Sequence, residues 1–117
     1  MSNPFETDLP RQVANYSALS PISFLSRSAL VHKQGISLIH GERHWNWADT
    51  YTRCRRLASA LSKKGICKGD TVSVMAPNIP AIFEAHFGVL MTGGVLNALN
   101  IRLEAETLSY ILEHAGT

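Results

Sequence analysis

Residues 71–100, "TVSVMAPNIPAIFEAHFGVLMTGGVLNALN", decide the fold. Thr71 to Ala76 is expected to be a strand, with Val72, Val74 and Met75 suited to burial. Pro77 and Asn78 end it, and Asn78 is placed to cap a helix that begins at Pro80 and runs to about Thr92. Gly93-Gly94 breaks that helix before a second strand, Val95 to Leu99. Strand, helix and strand in so short a span predict a right-handed parallel crossover.

The helix in the middle is apolar almost all round, so it should be mostly buried. Ile79, Ile82, Phe83, Phe87, Val89 and Leu90 form its wide face, while Ala81, Ala85, Gly88 and Thr92 form a narrow stripe that lets a neighbouring backbone approach closely. His86 falls in the middle of the wide face. It is either a hydrogen-bonded core histidine or a group facing a ligand cavity.

Outward from this stretch the pattern stays α/β. Residues 1–19 are polar and aperiodic, an expected N-terminal arm. Ser20 and Pro21 open a helix to Lys33, with Gly35 as its stop. Ile36 to His40 and Arg43 to Trp45 flank the Gly41-Glu42 turn as a hairpin. Asn46 with Asp49 makes a capping-box-like start for a helix from Trp47 to Lys64. Trp47, Tyr51, Cys54, Leu57, Ala58 and Leu61 share its inner stripe, and Arg53, Arg55, Arg56, Lys63 and Lys64 spread with Asp49 over an expected solvated face. A last amphipathic helix, about Glu104 to His114, turns Leu108, Ile111 and Leu112 inward and stops at Gly116. The alternation then calls for a further strand. Residues 20–117 are therefore expected to be an incomplete α/β subdomain, cut within a doubly wound, mainly parallel sheet whose unpaired edge is open to self-association.

Composition narrows the function classes. The 117 residues, 45% hydrophobic and 17% charged, suit one modest globular core. A net charge of +2 without a basic stripe gives no reason to expect a nucleic-acid partner. Glu84 and His86 interrupt the longest apolar run, short of the roughly 18 residues of a membrane span. The first twenty residues contain no apolar leader segment, and Cys54 and Cys67 have no CxxC partner, so a reducing, cytoplasmic setting is expected.

Motifs for chemistry fail in instructive ways. Gly88 and Gly93 have the spacing of a phosphate loop, but Gly94 and Val95 stand where Lys and then Ser or Thr are required, and the order is helix before strand rather than the reverse. No dinucleotide-binding glycine pattern is present. His40 and His44 lie four apart in a hairpin with no third ligand beside them, so no metal site is expected. No residue is assigned to catalysis, cofactor or metal. The candidates for touching substrate are His86 and, from the rule that ligands sit at the carboxyl ends of parallel strands, Asn78, Asn97 and Asn100.

The run from Asn46 to Thr117, with "RCRRLASAL", "GDTVSVMAPN", the Gly-Gly break and "LNALN" in order, resembles the N-terminal part of the AMP-forming acyl-activating ligases. This superfamily holds acyl-CoA synthetases, 4-coumarate–CoA ligases, luciferases and peptide-synthetase adenylation domains. "LSPISFLSRSALV", "EAHFGV" and "LNALNIR" are most similar to short- and medium-chain fatty-acyl-CoA synthetases and plant acyl-activating enzymes, and the resemblance covers Tyr16 to Thr117. It implies a reaction in which a carboxylate attacks the α-phosphate of Mg-ATP and coenzyme A then displaces AMP. It also implies that the phosphate loop, metal ligand and catalytic lysine lie downstream, so that none carries over to a position here. The fragment itself is then expected to take no cofactor and to be inactive, with carboxylic acid, ATP, Mg and CoA the ligands of a complete enzyme. A peroxisomal signal would belong at a C-terminus beyond Thr117. Two rivals remain: an autonomous α/β ligand-binding module, and an interaction protein that pairs its open sheet edge.

Overall fold

The computed structural model describes residue 10 and residues 12–117; the start of the expected arm, residues 1–9 and 11, lies outside the described residues. The elements follow in the order read from the sequence: α1 Pro21–Val31, β1 Ile36–His40, β2 Arg43–Asn46, α2 Trp47–Lys63, β3 Thr71–Met75, α3 Pro80–Gly88, a 3-10 turn Leu90–Thr92, β4 Val95–Leu99 and α4 Ala105–Ala115. β1 and β2 pair antiparallel; β3 and β4 pair parallel, in register from Thr71 opposite Val95 to Met75 opposite Leu99. The class is α/β with a parallel pair.

Local chemistry explains the boundaries. The Ser20 hydroxyl accepts from the Ile22 N–H at 3.3 Å, and Asn46 Oδ1 accepts from the Asp49 N–H at 2.7 Å, each satisfying a donor that a helix start leaves orphaned. Asn78 does not cap α3. Pro80 forces the residue before it into extended backbone, so Ile79, at φ −120° and ψ 165°, becomes the N-cap residue without a side-chain bond. α1 stops two residues before Lys33, at a turn in which the Gly35 N–H donates to the His32 carbonyl. α3 also ends early: after Gly88 the chain tightens into the 3-10 turn, and Gly93 leaves it in the left-handed region at φ 82°.

The core lies where α1, α2 and α3 meet. Leu25, Cys54, Ala85 and Val89 are its buried apolar residues, joined by Thr50. The small-residue stripe does bring α3 against α2: a Cβ on Gly88 would sit 2.7 Å from Leu57 Cδ2. Apart from buried Val89, the opposite, wide face of α3 is only half-buried, contrary to the expectation of a helix enclosed all round, because its main helical neighbour, α2, lies on the stripe side. Met75, expected inside, is 53% exposed at the end of a two-stranded sheet. The radius of gyration is 18.0 Å, against about 13 Å for a compact globule of this length.

Candidate functional site

The two parallel strands end side by side, and the chain leaves both in loops that border one open pocket of about 470 Å³. Asn78, Asn100 and Arg102 line it together with Ala76, Pro77 and Leu99. Asn100 Oδ1 accepts from the Arg102 N–H at 2.9 Å, which folds the loop after β4 beside the pocket. The structure thus brings together two of the three strand-end asparagines. Asn97 is elsewhere: it sits mid-strand opposite Ser73, and its Nδ2 donates to Ser73 Oγ at 2.9 Å. Ser73 Oγ in turn lies 2.9 Å from Thr117 Oγ1. That chain of polar groups bridges the sheet.

His86 lies on a second, larger cleft of about 500 Å³ between the hairpin and α3. Leu38, Ile39 and His40 form one wall; Ile82, Phe83 and Phe87 form the other, with Asn78 at the end. The imidazole is exposed rather than a core group. Its Nδ1 lies 2.7 Å from the Ile82 carbonyl, which can only accept, so Nδ1 carries the proton and Nε2 is left for other partners. His40 and His44 do not converge: His40 opposes Arg43 and His44 opposes Ile39, and strand alternation puts the two rings on opposite faces of the hairpin. Among the described residues no group of three His, Cys, Asp or Glu could hold a metal ion.

The strongest electrostatic feature was hidden from the sequence. Arg53, expected on a solvated face, donates from Nε to Glu84 Oε1 at 2.5 Å and from Nη2 to Oε2 at 3.1 Å, a two-pronged ion pair between α2 and α3. The Glu84 side chain is 10% exposed and that of Arg53 46%. The carboxylate holds the Arg53 proton more tightly than usual. Burial, reinforced by the Glu84 charge, pushes the neighbouring Cys54 thiol up to about 11. Such a thiol is inert at neutral pH and serves packing. The available signal was a lone acid in a helix otherwise apolar. Thr50 was also missed: its hydroxyl lies 2.6 Å from Ser37 Oγ, whose own proton goes to the Trp45 carbonyl, so the pair ties α2 to the hairpin.

Nucleotide chemistry has no seat in the glycine turn. The N–H groups of Gly93, Gly94 and Val95 already donate to the Leu90 carbonyl, Thr92 Oγ1 and the Asp70 carbonyl. A phosphate cradle needs such groups free. The glycine turn therefore does not fit the phosphates of ATP.

Residues 25–117 match the AMP-binding enzyme family, and the chain belongs to it. It is 56% identical over 108 residues to a peroxisomal acetate/butyrate–CoA ligase of Arabidopsis thaliana, covering 92% of this chain and 19% of that ligase. It is 54% identical over 109 residues to an acetate–CoA ligase of Humulus lupulus, covering 93% of this chain and 19% of the other. Among solved structures, the Mycobacterium tuberculosis fatty acyl CoA synthetase superposes on 82% of the chain with a TM-score of 0.79 and 26% identity, over 20% of its own length. The chain therefore spans about a fifth of the length of the relatives it matches. No helix among the described residues is long and apolar enough to cross a membrane.

Proposed function

We propose that this chain is the N-terminal frame of an AMP-forming acyl-CoA ligase for a short-chain or fatty carboxylic acid, and that alone it does not catalyse. The frame consists of the parallel pair, the helices behind it and the strand-end pocket. Acid and ATP would give acyl-adenylate and pyrophosphate, and the thiol of coenzyme A would then release AMP, with the reacting groups supplied by the rest of the enzyme. The observation that carries this reading is the 56% identity to a ligase named for acetate and butyrate, held across 92% of the chain. We propose a cytosolic or peroxisomal setting, since the free thiol of Cys67 is exposed and suits a reducing compartment.

A chimera tests the assignment. Residues 10–117 replace the matched segment of the Arabidopsis ligase, and acetate- and butyrate-dependent formation of acyl-CoA is assayed. An active chimera is expected, while the 117-residue chain alone should exchange no labelled pyrophosphate into ATP. A folded but inactive chimera, or exchange by the purified chain alone, would overturn it. The pocket holding Asn78, Asn100 and Arg102 favours a second reading, a binding module without catalysis. A cooperative thermal melt of a monomeric chain, together with an inactive chimera, would select that reading.

A further inference from the structure

The outer face of α2 carries a basic hollow of about 270 Å³, away from the strand ends and the hairpin cleft. Thr52, Arg55, Arg56 and Ser59 line it, and no carboxylate does. Their spacing sets all four on one face of the helix, and all four are exposed. Arg53, beside them in sequence, is taken by Glu84 in the only ion pair among the described residues. Arg56 therefore has no carboxylate partner, although Asp49 borders a neighbouring hollow with it. Arg55 lies over the Tyr51 ring at 5.7 Å, a contact that steadies the side chain and leaves its N–H donors free. The Thr52 hydroxyl is committed to the Ala48 carbonyl at 2.9 Å, whereas the Ser59 hydroxyl has no partner among the described residues. Two forked cations and a free hydroxyl, with no acid to neutralise them, are the donor set of a phosphate site. A second hollow of about 420 Å³, between α1 and α2, shares Thr52 and Arg55 with the first and adds Ala29, Leu30, Tyr51 and Lys33, again without a carboxylate.

We propose that this face of α2 binds a small, soluble phosphomonoester: the phosphate sits on Arg55, Arg56 and Ser59, and the organic remainder runs along Tyr51, Ala29 and Leu30 in the adjoining hollow. A single phosphate matches the donors better than a long polyanion, because Lys63 and Lys64, further along α2, border neither hollow. Leu30 is 82% exposed, so an apolar group laid against it removes surface from water that nothing else in the chain covers. The site does not depend on the ligase reading, and an inactive chimera leaves it standing.

The test follows the amide NMR spectrum of the isotope-labelled chain through titration with phenyl phosphate and, separately, inorganic phosphate. Ionic strength is held constant, at a pH where both are dianions. Saturable shifts centred on residues 51–59 and the facing turn of α1 are expected, with phenyl phosphate bound about threefold or more tighter through its ring. Arg55→Gln and Arg56→Gln each remove one fork from an exposed helix position, where glutamine is a good helix former, and each should weaken both probes about fivefold or more. Arg56→Lys keeps the charge without the fork; it should weaken binding about twofold or more, and it stands in if a glutamine variant loses its folded spectrum. Leu30→Ser should abolish only the advantage of phenyl phosphate. Lys64→Gln, an equal loss of charge outside the hollow, should leave both affinities within about twofold. The proposal is overturned if the shifts track ionic strength without saturating, or if Lys64→Gln weakens binding as much as the arginine changes do. It is equally overturned if phenyl phosphate binds no tighter than inorganic phosphate, or if vesicles of phosphatidylglycerol engage this face and neither soluble probe does.

Discussion

The junction of α1, α2 and α3 and the parallel pair β3–β4 differ in how far their own residues complete them. At the junction Leu25, Cys54, Ala85 and Val89 are shut away from water, Gly88 lets two helices touch, and the acid within the apolar helix has its arginine. In the strand pair Met75 and Val95 remain half in solvent and both strands are edges. Parallel strands are ordinarily covered on both faces, and two strands alone are marginal in water. The helical junction is thus a finished core, and the sheet is the beginning of one. The contacts of the finished part hold the unfinished part in position.

Four substitutions, two of them combined, would break or sharpen this contrast. Leu25→Ala should have the largest effect, a loss of about 2–5 kcal/mol in urea unfolding, since it empties a fully buried site in a junction with few other buried side chains. A loss below about 1 kcal/mol would mean the junction is no better closed than the sheet. Arg53→Gln leaves Glu84 nearly buried without its cation. Because Arg53 is itself half exposed, the cost should be about 1–2 kcal/mol rather than the 3–5 of a fully enclosed pair. Double substitution with Glu84→Gln should recover part of that loss; strict additivity would show that the two side chains do not interact. Met75→Ser should change stability least, within about 0.5 kcal/mol, while the same change at the matched position of the Arabidopsis ligase should cost more if the sheet is covered there.

Most of the framework was legible because its signals are local. Ser20 before Pro21, Asn46 three residues before Asp49, and Gly93 at the left-handed turn each announce a boundary within one turn of chain. What the sequence hid depends on partners far along the chain. Arg53 and Glu84 are 31 residues apart, so on a helical wheel Arg53 looks like any solvated charge. The breadth of the apolar face of α3 was plain, but periodicity does not say which neighbours cover it, and they lie on the small-residue side. Asn78 was misread as a cap because Pro80 fixes Ile79 instead. At the pocket, the structure joins Asn78 with Asn100 and sets Asn97 apart at mid-strand, where its engagement with Ser73 depends on a register no sequence pattern states.

The contacts between α2 and α3 have one more consequence. Arg53 meets Glu84, and Leu57 meets Gly88, so the two contacts are one helical turn apart on both helices and run in the same direction. Slipping one helix by a turn would set Leu57 against the Glu84 carboxylate or Arg53 against bare backbone at Gly88. Each error strands a charge in an apolar contact. The pair therefore works like a key with two teeth: only one sliding position of the two helices admits both.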